Sequence, residues 1–135
     1  MNAVLIEGAD DLASWQEPWD ELARAAGGNL ALVASVTGPV DYVSDGEAVL
    51  SVSNGHELLA TVTGTGCMSS AITGCFLAAR PRHPLEAAAE ALAAFGVAGE
   101  DAARDAKGPG SFHVGLYDAL AGLDPQTLDS RAQIA

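Results

Sequence analysis

The residues best suited to chemistry stand together in VTGTGCMSSAITG, residues 62–74. Gly64, Thr65, Gly66 and Cys67 lead into a run with helical character. The first N–H groups of a helix lack intrahelical partners, and the helix dipole adds roughly half a positive charge there. Glycines let an anion approach such backbone closely, so residues 64–67 are a candidate anion hole for a phosphoryl group. A plain glycine turn entering a buried helix is the alternative. Neither a GxxxxGK[ST] loop nor a complete GxGxxG fingerprint is present. Cys67 stands where negative charge is favoured, which makes its sulfur a candidate nucleophile or weak base. A small buried hydrophobe is the other reading, and it is the one that suits Cys75.

Outside this stretch the candidates are sparser. Thr37 closes an apolar run, and ligands of open α/β sheets bind beyond the carboxyl ends of strands; a turn residue is the alternative. His56, in NGHELL, reads more readily as structural or exposed than as catalytic, and His83 and His113 look ordinary. Asp41, Asp45 and Glu47 suit a solvated hairpin edge better than a metal site. Lys107 could meet a phosphate or serve the end of the preceding helix.

Several elements must position these residues. NAVLIEG suggests a short strand, and residues 18–26 suggest a helix ended by Gly27-Gly28. LALVASV, residues 30–36, is continuously apolar and reads as a strand buried on both faces. Residues 40–55 read as a hairpin around the two-residue signal Asp45-Gly46. A helix over about residues 67–79, capped by Thr65 or Gly66, stops at Arg80 and Pro81. A second helix spans about residues 84–106, with Leu85, Ala88, Leu92, Phe95, Gly99 and Ala102 on one face. Gly96 and Gly99 would admit a close neighbour. Ser111 caps a last helix carrying Phe112, Leu116, Tyr117 and Leu120, followed by a polar tail. The order suits an α/β layer fold with a narrow sheet in a single domain over residues 1–135.

Composition narrows the function. Eighteen Asp and Glu against six Lys and Arg give a net charge of −12 over 135 residues. That surface repels nucleic acid and anionic membranes, and any phosphate site must rely on backbone N–H groups, a helix dipole or a divalent cation. No apolar run is long enough to span a bilayer, and the N-terminus lacks a signal-peptide pattern. Cys67 and Cys75, eight residues apart on one helix, would be separated by about 12 Å, too far for a disulfide. A reducing, cytoplasmic setting follows.

VTGPVDYVSDG, SNGHELLATVTGTGC and KGPGSF, in this order, closely resemble the C-terminal half of the hydroxyethylthiazole kinase family over about residues 22–120. The resemblance implies a ribokinase-like layered α/β fold whose central sheet is incomplete in this chain, because the family's chains are about twice as long. It implies ATP-dependent, Mg²⁺-assisted phosphorylation of the hydroxyl of 4-methyl-5-(2-hydroxyethyl)thiazole in thiamine salvage, by a homotrimer with sites between subunits. By motif, Thr37 would contact ATP, Gly64 would lie at the substrate and transferring phosphate, and Cys67 would hold the catalytic-base position; no metal ligand is implied. Other ribokinase-like kinases generally carry aspartate at the Cys67 position, which disfavours a sugar or pyrimidine kinase. A non-catalytic fragment that binds nucleotide or packs on a partner is the reading from another class. Half a sheet should also leave an apolar face and an open strand edge, favouring aggregation of the chain alone.

Overall fold

The computed structural model describes residues 2–7 and 32–135. Strands β1 (Asn2–Glu7), β2 (Leu32–Thr37), β3 (Asp41–Ser44) and β4 (Val49–Val52) form one sheet in that spatial order. A 3₁₀ helix, Glu57–Thr61, follows, and then α1 (Thr65–Ala79), α2 (Pro84–Arg104), α3 (Pro109–Gly122) and α4 (Pro125–Arg131). The mixed α/β class expected from sequence is present.

β1 and β2 pair in parallel, from Asn2 opposite Leu32 to Glu7 opposite Thr37. Parallel neighbours need a crossover connection; the helix expected over residues 18–26 falls there and lies outside the described residues. Val33, Ala34, Ser35 and Val36 are all buried, so β2 is covered on both faces as its unbroken apolar run requires. β2, β3 and β4 then run antiparallel. The hairpin turn differs from the two-residue expectation. Ser44 pairs with Val49, leaving a four-residue loop over 45–48. Asp45 explains it: its Oδ1 accepts from the N–H groups of Glu47 (3.0 Å) and Ala48 (2.9 Å), folding the backbone around the carboxylate, with Gly46 at φ 92°. Those bonds, Ala48's foremost, hold the Asp45 carboxyl below its ordinary range.

The alanine-rich α2 is the central beam. Its first half meets Val33, Val43 and Val52 of the sheet through Leu85, Ala88, Ala89, Leu92 and Ala93. Its second half meets Phe112 and Leu116 of α3 through Phe95, Ala98 and Ala102. The face expected from the periodicity is buried, but so are Ala87, Ala91, Ala94 and Val97, because small side chains let neighbours close in on several sides. Burying Phe112 and Leu116 completely contributes about 2 to 3 kcal/mol each. Tyr117, expected on the same face, is 54% exposed instead.

The polar tail is the largest correction in the fold. Residues 124–135 carry α4 and then an edge contact in which Ile134 bridges Val52. Ser51 and Ala135 exchange backbone hydrogen bonds, and the Ser53 N–H donates to the Gln133 carbonyl. Leu128, Ala132 and Ile134 seal the sheet–helix core. The outer edge of β4 is thus covered; the opposite edge of the sheet is β1, which among the described residues pairs only with β2. Asp124 caps α4 by accepting from Gln126 and Thr127, with Pro125 in the first turn. That Asp-Pro start signal was in the sequence, outweighed by the polar composition.

Candidate phosphate-binding turn and its supports

Helix α1 starts two residues before the expected position. Its N-cap is Gly64, at φ 98° and ψ −7°, in the left-handed region open to glycine. The expected caps, Thr65 and Gly66, are instead the first two helical residues. Met68 N–H makes the first backbone bond, to the Gly64 carbonyl, 3.0 Å away. The N–H groups of Thr65, Gly66 and Cys67 therefore precede the intrahelical ladder. No side-chain cap and no acidic residue occupies this first turn, so the positive end of a 15-residue helix stands uncompensated. Among the described residues a Cβ placed on Gly64 would meet nothing within 4 Å, which leaves open space over the turn.

Thr65 departs from the expected role in one respect. Its hydroxyl turns inward, to the carbonyls of Leu59 (2.9 Å) and Val62 (3.0 Å), and so ties α1 to the preceding segment. Only its backbone N–H is left for an anion. Cys67 is exposed on the first turn. Cys75, expected in the core, is also exposed, because α1 buries only Ser69, Thr73 and Leu77 and turns Cys75 to its outer side. Both thiols are free.

Thr37 ends β2, half-buried, as expected. It stands on the sheet and the glycine turn on α1; β1 joins the two, pairing with β2 and touching α1. The backbone after Thr37 is braced by Asp41, whose Oδ1 accepts from the Gly38 N–H at 2.9 Å. Asp41 is not the solvated edge residue expected. Burial lifts its carboxyl to about 6, against the Gly38 bond that lowers it. The folded chain therefore holds this proton more tightly than the unfolded chain, whose value is 3.8. The stability from that proton is complete below about pH 4 and is lost as pH rises through about 6. Asp41→Asn should accordingly be more stable than the parent at about pH 8, by about 3 kcal/mol at most, with the gap closing below about pH 4. Thermal melts across that range check it, and a gap independent of pH would refute it.

Two of the sequence motifs meet in space. His56 caps the 3₁₀ helix, its Nδ1 accepting from the Leu58 N–H at 3.2 Å, and its ring lies 6.3 Å from that of buried Phe112. In KGPGSF, Gly108 is the cap of α3 and Ser111 lies inside it, not at the expected cap position. The Ser111 hydroxyl still braces the turn, accepting from the Lys107 N–H and donating to the Gly108 carbonyl. His56 thus has the structural, exposed placement expected. Sequence reasoning missed Asn54, which is buried with both side-chain ends bonded. Its Nδ2 donates to Glu100 Oε1 (3.1 Å) and to the Arg131 carbonyl (3.0 Å), and its Oδ1 accepts from the Gln133 N–H (2.7 Å). All three partners are far along the chain, so no local pattern announces them.

The family model of the hydroxyethylthiazole kinases matches residues 2–126. The chain belongs to the hydroxyethylthiazole kinase family. A relative named hydroxyethylthiazole kinase from Cereibacter sphaeroides is 46% identical over 128 residues, covering 95% of this chain and 47% of its own length. One from Rubrobacter xylanophilus is 50% identical over 116 residues, covering 84% of this chain and 43% of its own length. A solved hydroxyethylthiazole kinase protein from Pyrococcus horikoshii superposes with a TM-score of 0.75 at 40% identity, over 97% of this chain and 54% of that one. The chain therefore spans about half the length of the curated relatives it matches. Among the described residues no helix is long and apolar enough to cross a membrane.

Proposed function

We propose that this chain provides the phosphate-binding turn of a hydroxyethylthiazole kinase, a cytoplasmic enzyme of thiamine salvage that transfers the γ-phosphoryl group of ATP to the hydroxyl of 4-methyl-5-(2-hydroxyethyl)thiazole. The observation that carries this reading is the uncapped start of α1 at Gly64, with exposed Cys67 beside it, in a chain of this family. Phosphoryl transfer needs positioning and charge stabilisation more than covalent chemistry. The N–H groups of Thr65, Gly66 and Cys67 stabilise the charge that develops on the equatorial oxygens. Gly64 leaves room for the alcohol and the phosphate to approach. Cys67 Sγ orients the substrate hydroxyl and accepts its proton as transfer completes. Thr37 contacts ATP from the end of β2.

Among the described residues no three His, Cys, Asp or Glu side chains converge as a metal cage. They do not fit a resident Mg²⁺ ion; the nucleotide's phosphates would be its principal ligands. A trimer with its sites between subunits belongs to the same reading.

The test transplants residues 32–135 into the matching segment of the Pyrococcus horikoshii relative and follows phosphate transfer from ATP to the thiazole alcohol. Transfer by the hybrid is expected. A folded hybrid with no transfer overturns the reading in favour of a packing role. Within the hybrid, Cys67→Ala should lower kcat by about 100-fold, the low end of general-base contributions. Cys67→Asp, whose carboxylate is ionised at neutral pH where a thiol with an ordinary value of about 8.5 is mostly protonated, should retain more of the rate. Full activity in Cys67→Ala removes the base role and leaves the anion site standing.

A further inference from the structure

The segment between β4 and α1 is bonded to itself at nearly every step. Leu59 N–H donates to the His56 carbonyl, Leu58 N–H to His56 Nδ1, and the Thr61 hydroxyl to the Leu58 carbonyl. The Thr65 hydroxyl then closes on Leu59 and Val62. A stretch so connected moves as one piece, and α1's first turn moves with it. Its seat on α2 has two parts. Leu59 packs on Gly99, where an added Cβ would lie 2.9 Å from Leu59 Cδ1. The polar part, among the described residues, runs through one atom: Glu100 Oε1 accepts from Asn54 Nδ2 and from the Gly55 N–H, both at 3.1 Å. Glu100 Oε2 is held by Arg131 at 2.9 Å, and Arg131 is fixed in turn by Asp101. The carboxylate is thus gripped at both oxygens, with one turned toward the segment that carries the glycine turn.

We propose that Glu100 is a positioning residue for the phosphate-binding turn: its Oε1 anchors Asn54 and Gly55, and through the 3₁₀ helix and Thr65 sets where the N–H groups of residues 65–67 point. It touches neither substrate nor nucleotide. The catalytic consequence rests on the kinase reading above, while the anchoring does not. Gly55 has φ 146°, a conformation that favours glycine, and its backbone N–H donates to Glu100 Oε1 on α2.

Hydrogen exchange on this chain, resolved to individual amides, separates anchoring from general stability. Glu100→Gln keeps an acceptor oxygen but loses the charge facing Arg131. Glu100→Asp keeps the charge but withdraws the oxygen by one methylene. The expected order of amide protection over residues 55–67 is parent, then Glu100→Gln, then Glu100→Asp, then Glu100→Ala. Exchange in Glu100→Ala should be at least about tenfold faster over this stretch, with the amides of α3 unchanged. Should Glu100→Ala not fold, the Gln and Asp variants decide alone. Better protection in Asp than in Gln would show that charge pairing with Arg131 matters and would overturn the proposal. So would a uniform loss of protection over the whole chain. In the transplanted hybrid, Glu100→Asp should lower kcat more than it raises KM, and Gln should restore kcat. If the parent hybrid proves inactive, the kinase reading fails while the exchange order still stands or falls on its own.

Discussion

Gly96→Ala will lower the stability of the fold by about 3 kcal/mol, and Gly96→Val will prevent it from forming. A Cβ at Gly96 would lie 2.5 Å from the Asn54 carbonyl oxygen, 2.6 Å from its carbon and 2.7 Å from the Asn54 Cβ. Two of these are backbone atoms, which cannot swing aside as the tip of a side chain can. Relief requires Asn54 to withdraw, and that breaks its bonds to Glu100, Arg131 and Gln133. Overpacking costs about 1 to 3 kcal/mol, and each buried polar group left unpaired costs a similar amount. Alanine's helix propensity returns only about 1 kcal/mol. Against a typical domain stability of about 5 to 15 kcal/mol, valine's further bulk removes the rest. Gly74 is the control: it lies within α1 with nothing within 4 Å of an added Cβ, so alanine there should be neutral or stabilising. Denaturant titrations of the three proteins check this, and a Gly96→Ala midpoint equal to the parent's would refute it.

Gly64→Ala separates function from stability in the opposite way. Among the described residues no atom lies within 4 Å of the new Cβ, so the fold loses the cost of a left-handed alanine, about 1 to 2 kcal/mol. The methyl group would, however, project into the space through which an anion reaches the N–H groups of residues 65–67. Disturbing one donor of a preorganised anion hole costs about 100- to 1,000-fold in kcat. The transplanted hybrid carrying Gly64→Ala should therefore stay folded and lose at least about 100-fold in phosphate transfer. A rate within twofold of the parent's would remove the glycine turn from the mechanism.

The two glycines show what was legible. Gly96 was readable as a site of close approach, since a glycine inside an alanine-rich helical run has few other reasons to be there. Which element approaches was not readable, because Asn54 is 42 positions away and its side chain reports nothing about α2. Gly64 was readable as part of a glycine turn at a helix start, but the cap was placed one or two residues late. Threonine is a good cap, and only the carbonyls of Leu59 and Val62 draw the Thr65 hydroxyl away from that task. Cys75 was read as core from its residue type; the side of α1 it occupies was decided by what packs on the helix.

By itself the sequence determined the alternation of strand and helix, the buried β2, the breaks at Arg80 and Gly122, and a glycine turn feeding a helix. These depend on periodicity, propensity and turn chemistry within a few residues. The three spaced motifs also determined the family, because each is short but their order and separation are specific. Tertiary structure alone decided the tail's return to the edge of β4, the partial burial of Asp41 and the clamp of Asn54, Glu100 and Arg131. Each of these sets a side chain against distant chain or buries a charge, and their free energies exist only once the layers have closed.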